Sequence, residues 1–353
     1  MEAMETMEAK LFETTITAPY FDTMALVVQS FGNEKEYRRA VLTVISYYAF
    51  CSPSNAMKTL LFTDRPSYFE AVLKDFPVEF ILLSEEKIQQ MRGKIDFLHR
   101  MKIALIEEAF QKSDDSLLYA DSDTFFTTDP MPLFHTLSPA KALMHVYEYA
   151  FESLKTWTLF GGETNQKFYN LILNHKLMLA DGSDFIIRPE HASWNAGVMM
   201  LDREHAAYIP DIYKLTDQIF PTTGNHASEQ FAFSVILQTR TKLEPCESVI
   251  YHYWYRVMKR VADEFLAKKI TSQWAKLPAD KKMAEVKRWT QILPRLFDHH
   301  VLMLKDNAIQ AFNIDDFRAG YRFALRAFFK QPFDLTFLKH VAYHTRRNLS
   351  MKK

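Results

Sequence analysis

Short, wholly apolar runs alternate with longer stretches of helical periodicity over the first third of the chain. Residues 24–30, 58–64, 78–83 and 116–120 are each built on an unbroken apolar stretch, Met24–Val28, Leu60–Phe62, Phe80–Leu83 and Leu117–Ala120, with no polar residue at every second position. A strand open to water on one face alternates; a strand covered on both faces does not. Between these runs, residues 34–50 set Tyr37, Ala40, Val41, Val44, Ile45 and Tyr48 at helical spacing, and residues 97–110 do the same with Met101, Ala104, Leu105 and Phe110. A short helix fits 67–75, after Arg65-Pro66. Strands in alternation with helices predict an α/β fold with a mainly parallel sheet and helices on both faces.

The pattern loosens further on. Strands are expected at 141–146, 184–188, within 194–202 and at 248–254, and a helix at 227–238 with Ser228 as its cap and Glu229 and Gln230 in its first turn. From 260 onward the periodicity is helical, over about 261–276, 279–292 and 314–329. The aromatics Phe323, Phe328 and Phe329 are expected in a core. The organisation this implies is an N-terminal tail (1–20), an α/β domain (21–258) and a basic helical extension (259–353).

Formal net charge is zero but unevenly spread: residues 255–353 carry 21 Lys and Arg against 9 Asp and Glu, and the other residues 22 against 34. That asymmetry suggests two functional surfaces. Residues 1–10 are acidic and Met-rich, without the apolar stretch of a signal peptide, and no run of about 18 apolar residues occurs. Cys51 and Cys246 make no disulfide framework, so a reducing, cytoplasmic setting is expected.

The candidate chemistry sits where the fourth apolar run stops. Ser116-Leu117-Leu118-Tyr119-Ala120 gives way to Asp121-Ser122-Asp123. Residues two apart on a strand point to one side, so the two carboxylates can converge as the strand opens into a loop. Paired hard oxygen ligands suit Mg²⁺ or Mn²⁺, ions that usually bridge to substrate phosphates. In parallel sheets ligands gather beyond the carboxyl ends of strands, where Gln29, Asp64 and Asp121 fall.

Asp121-Ser122-Asp123, then Asn195-Ala196-Gly197-Val198-Met199, then Glu229-Gln230, then His252 closing a strand, together resemble the metal-dependent glycosyltransferases of the GT-A fold, and within them glycosyltransferase family 8 and its relatives. The resemblance spans about 21–258. It implies that Asp121, Asp123 and His252 hold the divalent ion, and that Asn195 and Gly197 form a turn beside the donor sugar. Glu229 and Gln230 would lie near the reacting carbon. Gln29, Ser30, Asp64 and Ser122 would line the nucleotide site, with Arg100 and Lys102 as contacts from the preceding helix. The donor would be a nucleoside-diphosphate sugar, UDP-linked, and the acceptor a saccharide, free or lipid-linked. Family 8 follows its metal-binding His with Gly and then Lys-Pro-Trp; here Tyr253-Trp254-Tyr255-Arg256 follows, and Arg256 or Lys259 would supply the cation for the leaving diphosphate. If the reaction inverts, a carboxylate must take the acceptor proton; Glu229 is the candidate, with Asp202 and Asp184 behind it.

Rival readings use the same residues otherwise. Phosphatases of the haloacid-dehalogenase type place a threonine two positions beyond the second Asp, where this chain has Phe125. A sugar-nucleotide pyrophosphorylase needs a Gly-rich loop after the first strand, and Gln29-Ser30-Phe31-Gly32-Asn33 is a poor one. A catalytically inactive GT-A-like binding module remains as the alternative from another class. In the tail, Arg318, Arg322, Arg326 and Lys330 recur every four residues as one basic stripe. The stripe resembles extensions of many bacterial glycosyltransferases that act on lipid-linked acceptors. It implies peripheral association with the inner face of an anionic membrane. No recognised nucleic-acid motif accompanies it.

Overall fold

A computed structural model describes residues 24–52, 57–156 and 162–351. The expected tail at 1–20 lies outside them. The first half carries β1 (Met24–Ser30), α1 (Glu34–Phe50), β2 (Thr59–Thr63), α2 (Pro66–Leu73), β3 (Val78–Leu82), α3 (Glu85–Arg92), α4 (Arg100–Lys112), β4 (Ser116–Ala120), β5 (Thr124–Phe126), α5 (Met131–Phe134), β6 (Lys141–Met144) and β7 (Tyr147–Ala150). Then come α6 (Gly162–Asn174), the small hairpin β8 (Leu177–Met178) and β9 (Asp184–Phe185), β10 (Ala192–Trp194), β11 (Val198–Leu201), α7 (Ile209–Thr223), α8 (Ser228–Arg240), β12 (Lys242–Pro245) and β13 (Ile250–His252). Five helices finish the chain: α9 (Arg256–Lys269), α10 (Ala279–His299), α11 (Val301–Asn313), α12 (Phe317–Lys330) and α13 (Leu335–Met351).

The main sheet has seven strands in the order β12-β6-β11-β4-β1-β2-β3. β4, β1, β2 and β3 run parallel, as do β6 and β12, while β11 runs antiparallel between β4 and β6. The expected α/β class, mainly parallel, is therefore what forms. Its cause is visible in β1, where Leu26 and Val28 join one core with α1 and α10, and Ala25 and Val27 join the other with α4, α7 and α8. Both faces are covered, so Met24–Val28 had to be apolar, and polar residues enter only at the strand's end, with Gln29 and Ser30.

The helical extension is not a separate layer throughout. α10 packs Val286, Trp289, Leu293 and Phe297 into the core that α1 builds, and the buried Lys282 donates to the Val72 carbonyl at 2.7 Å. The expected boundary at 258/259 falls inside the first turn of α9. Beyond α10, helices α11 to α13 share a small core of their own around Leu304, Phe312, Ala324 and Phe337. Two readings change here. The helix expected at 261–276 ends at Lys269, and the one expected at 279–292 runs on through Pro294 to His299. Phe323 packs against the small core as expected, but Phe328 and Phe329 are exposed, Phe329 at 76%. Phe329 lies on the face of α12 away from Ala324 and Ala327, while Phe328, one turn after Ala324, stands at the edge of the packed face.

Candidate active site

β4 lies between β1 and β11 with all five residues buried, and its last pairing sets Ala120 opposite Val198. The next residue, Asp121, donates its backbone N–H to the Gly197 carbonyl at 2.8 Å, and then the chain leaves the sheet. The Thr43 hydroxyl from α1 lies 2.9 Å from both the Ser122 and Thr124 carbonyls, so it steadies the turn by donating to either. β5 then pairs antiparallel with β13 in a register that sets His252 opposite Thr124, and Tyr253 donates its N–H to the Asp123 carbonyl at 3.0 Å. That ribbon brings a residue 129 positions downstream of Asp123 to its side.

Ligand atoms of Asp121, Asp123 and His252 all fall within 4.8 Å of one another. Asp123 is buried, with Oδ1 3.3 Å from His252 Nε2 and Oδ2 against the Lys259 ammonium. Burial would raise its pKa, but His252 and Lys259 outweigh that and hold the carboxyl well below the usual carboxylate range. His252 Nδ1 lies 2.9 Å from Asn195 Oδ1, which also accepts the Gly197 N–H at 3.0 Å. Gly197 can be nothing larger, because a Cβ there would come within 2.0 Å of the His252 ring. A buried carboxylate, a second carboxylate and an imidazole nitrogen aimed at one point are the donor set of a divalent-cation site.

A second set of contacts backs Asp121. Its Oδ1 accepts from the Tyr119 hydroxyl at 2.5 Å, and that hydroxyl accepts from Gln29 Nε2 at 2.9 Å. Its Oδ2 is 3.4 Å from Lys102 Nζ, which also reaches the Ala196 carbonyl at 3.0 Å and Glu229 Oε1 at 3.5 Å. Lys102 is buried in the first turn of α4. Burial pulls its pKa down, yet Asp121 and Glu229 raise it above the ordinary lysine value, so it is charged. Several polar atoms here lack a partner among the described residues: Gln29 Oε1, Ser30 Oγ and Glu229 Oε2. A buried polar atom without a partner costs about 1–3 kcal/mol, and such atoms gather where a ligand completes the bonding.

The site's loop is also tied to the last part of the chain. Ser122 donates to Glu36 at 3.0 Å, Glu36 accepts from Arg39 at 2.7 Å, and Arg39 forks both arms onto Asp263 of α9, each at 2.7 Å. This chain of charges ties α9 to the loop at Asp263, one turn beyond Lys259.

Other residues singled out from the sequence lie elsewhere. Arg100 forks onto Asp217 of α7 at 2.7 and 3.2 Å and donates to the Met91 carbonyl, on the side of α4 away from Asp121. Asp202 follows Leu201, which pairs with Leu117 at the amino end of β4, and it caps the 3-10 turn 203–208 by accepting from Glu204 N–H. It therefore sits at the opposite end of the sheet from Asp121. Asp184 pairs with Lys176 on the exposed hairpin. Asp64 differs from these: it follows Thr63, the partner of Ser30, at the carboxyl end of the sheet, where it accepts from Gly32 N–H and the Tyr37 hydroxyl, each at 2.9 Å, and so shapes the loop after β1. The Thr124 hydroxyl donates to the Asp121 carbonyl at 2.9 Å, and the place where a phosphatase needs its threonine is filled by the buried Phe125. Glu148 on β7 was not among the sequence candidates, yet it accepts from Ser193, Asn195 and Gln230. Its only signal is the pairing of β7 with β10, which no local pattern announces.

No protein-family model matches the chain. No curated protein matches it either. Solved structures similar to it include a galactosyltransferase, LgtC, in complex with donor and acceptor sugar analogues (13% identity, 62% of this chain and 73% of that one, TM-score 0.42). Others are the WbbM bifunctional glycosyltransferase in its apo form (9%, 65% and 40%, TM-score 0.43) and mouse xyloside xylosyltransferase 1 in its apo form (13%, 63% and 84%, TM-score 0.41). Likenesses of this size assign no family.

Proposed function

We propose that the protein is a divalent-metal-dependent glycosyltransferase of the GT-A type, moving a sugar from a nucleoside-diphosphate donor, UDP-linked, to a saccharide acceptor. One observation carries the reading: two carboxylates and one imidazole converge within 4.8 Å at the carboxyl end of the central strand. Mn²⁺ or Mg²⁺ held there supplies Lewis-acid neutralisation of the diphosphate as it leaves. The residues around it do the rest. Lys259, already against Asp123 and partly exposed, is the cation offered to the same phosphates. Lys102 stays internal and keeps Asp121 ionised and in place. Gln29, Ser30 and Ser122 offer polar atoms at the ends of β1 and β4 to the nucleotide. Gln230 donates to Glu148 at 2.8 Å and accepts from Ala196 N–H at 3.1 Å, which fixes its amide beside the Asn195 turn. Glu229 is buried against Lys102, so its part is to hold charge behind the sugar. The stacked rings of Trp254 and Tyr255, 5.1 Å apart and partly open to solvent beside His252, give an acceptor sugar an apolar face to rest on.

The acceptor we favour is lipid-linked, with the protein on the inner face of an anionic membrane. Phe329, Phe333, Leu325 and Leu335 are exposed on and just after α12, Phe333 at 90%, beside the exposed Arg318, Arg322, Arg326 and Lys330. Apolar groups that enter a bilayer next to cations that meet its phosphates suit peripheral binding. Among the described residues no helix is long and apolar enough to cross a membrane.

The test of the enzymatic reading is hydrolysis or transfer from a panel of nucleotide sugars with and without Mn²⁺. Turnover that needs the metal supports it. Metal-independent binding with no turnover of any donor would favour the inactive binding module instead.

A further inference from the structure

We infer that Glu148 is a positioning residue for the metal site: through the side-chain amide of Asn195 it decides which ring nitrogen of His252 carries the proton. The inference rests on the proposed metal site and adds a residue outside its ligand set.

A histidine can bind a cation through Nε2 only if the proton sits on Nδ1. Nδ1 of His252 faces Asn195 Oδ1 at 2.9 Å. Whether that atom is an oxygen or the amide nitrogen depends on which way the Asn195 amide is turned. Two neighbours settle the choice. On one side Oδ1 accepts the Gly197 N–H at 3.0 Å, and that N–H cannot turn away, since the carbonyl of the same peptide, Ala196 O, accepts from the buried Lys102 at 3.0 Å. On the other side Nδ2 donates to Glu148 Oε1 at 3.0 Å, and a carboxylate can only accept. Turning the amide over would set two donors face to face at Gly197 and two acceptors face to face at Glu148. With Oδ1 fixed as an acceptor, His252 must present Nδ1–H to it. Its Nε2 lone pair is left for the point where Asp121 and Asp123 converge.

Glu148 is fixed in its turn. Its other oxygen, Oε2, accepts from the Ser193 hydroxyl at 2.9 Å and from Gln230 Nε2 at 2.8 Å. The Gln230 amide is oriented by the Ala196 N–H, which it accepts at 3.1 Å. The chain of donors and acceptors therefore runs from the backbone of the 195–197 turn, through Gln230, Glu148 and Asn195, to one imidazole. Every member has its sense of donation set by the one before. Partners beyond the ligands of this kind commonly change metal affinity 10–100-fold when altered.

The experiment is Mn²⁺ titration of the full chain without nucleotide, followed by electron paramagnetic resonance of the free ion, on four proteins. In Glu148→Gln the new carboxamide can keep its oxygen toward Ser193 and Gln230 only by turning its NH₂ onto that of Asn195. In Asn195→Asp two carboxylates meet. Each single variant is expected to weaken Mn²⁺ binding by about 10–100-fold. The double variant Glu148→Gln with Asn195→Asp restores a donor facing an acceptor at every contact, with an oxygen again toward His252 Nδ1, and is expected to recover affinity to within a few-fold of the starting protein. A second readout separates orientation from simple loss of structure. In ¹⁵N-histidine-labelled, Mg²⁺-loaded protein at mildly alkaline pH, long-range ¹H–¹⁵N spectra should give the Nδ1–H form of His252 in the starting protein and the double variant. Glu148→Gln should give a mixture with the Nε2–H form. Unchanged Mn²⁺ affinity in Glu148→Gln, or a double variant no better than its parents, overturns the inference. A starting protein that binds no Mn²⁺ would instead overturn the metal site itself.

Discussion

The carboxyl end of the central strands and the outer face of α12 depart from ordinary burial in opposite directions. Around Asp121 and Asp123, polar atoms are buried without partners and charges are held inside the protein: Gln29 Oε1, Ser30 Oγ, Glu229 Oε2, the Lys102 ammonium. Around α12, apolar side chains stand exposed among the described residues: Leu325, Phe329, Phe333, Leu335. Each arrangement costs stability in the isolated chain. The remedy differs in kind. The first region is completed by something small, hydrated and charged, the second by something extended and apolar with an anionic surface. That contrast separates a donor site from a docking surface within one chain.

The largest effect should come from Asp123→Ala, which removes a buried ligand and leaves Lys259 and His252 without their shared carboxylate. Activity should fall on the order of 10²–10³-fold, in the range for removal of one electrostatic group at a reacting centre. Steady-state rates with the identified donor check it. Next is Gly197→Ala. Its methyl group would overlap the His252 ring, so Mn²⁺ affinity should drop by about 10–100-fold, the range for altered surroundings of a ligand. A variant that binds Mn²⁺ normally would mean that His252 is not a ligand.

The outer face of α12 is tested by Phe329→Ser with Phe333→Ser. Flotation with anionic vesicles should weaken by about 10-fold or more, from roughly 1.5–3 kcal/mol of apolar transfer per ring. The melting temperature should hardly move, because exposed positions seldom change stability by more than about 0.5 kcal/mol. Equal binding to neutral and anionic vesicles would contradict the part assigned to Arg318, Arg322, Arg326 and Lys330.

A smaller effect concerns His145, which burial, helped by the neighbouring His252, holds down to about 4. Below about pH 6.5 the unfolded chain takes up a proton that the folded protein refuses. Stability should therefore fall as pH drops from about 6.5 toward 4, by about 2–3 kcal/mol from this group. Urea denaturation across that window should give a flatter profile for His145→Gln; an identical profile would show that His145 does not contribute. The smallest effect is expected at Asp202→Ala: about 1 kcal/mol of lost capping. Activity should be unchanged, since Asp202 lies at the amino end of β4. A large loss of activity there would return Asp202 to the catalytic candidates.

Much of this was legible in the sequence where the signal was local. Ser116–Ala120 reads as a doubly covered strand because both faces of β4 pack apolar cores, and Asp121 and Asp123 end it because charge is disfavoured between those two cores. His252 was legible only through the order of motifs, since its place depends on β13 pairing with β5. Glu148 was not legible. Its partners Ser193, Asn195 and Gln230 come from β10, the following turn and α8, brought together by tertiary structure alone. The separation of Arg100 from Lys102 has a related reason: they are two apart on a helix and so face different ways, one toward α7 and the other toward Asp121. The exposed aromatics of α12 escaped because periodicity finds a hydrophobic face without saying whether anything covers it.

The central claim is that one divalent cation sits between Asp121, Asp123 and His252. Anomalous diffraction at the manganese edge, from a crystal soaked with Mn²⁺ and UDP, tests it most directly. The account predicts a peak bonded to both carboxylates and to His252 Nε2, with diphosphate oxygens completing its coordination. UDP bound with no peak at that point, and Asp123 still paired with Lys259, would contradict it.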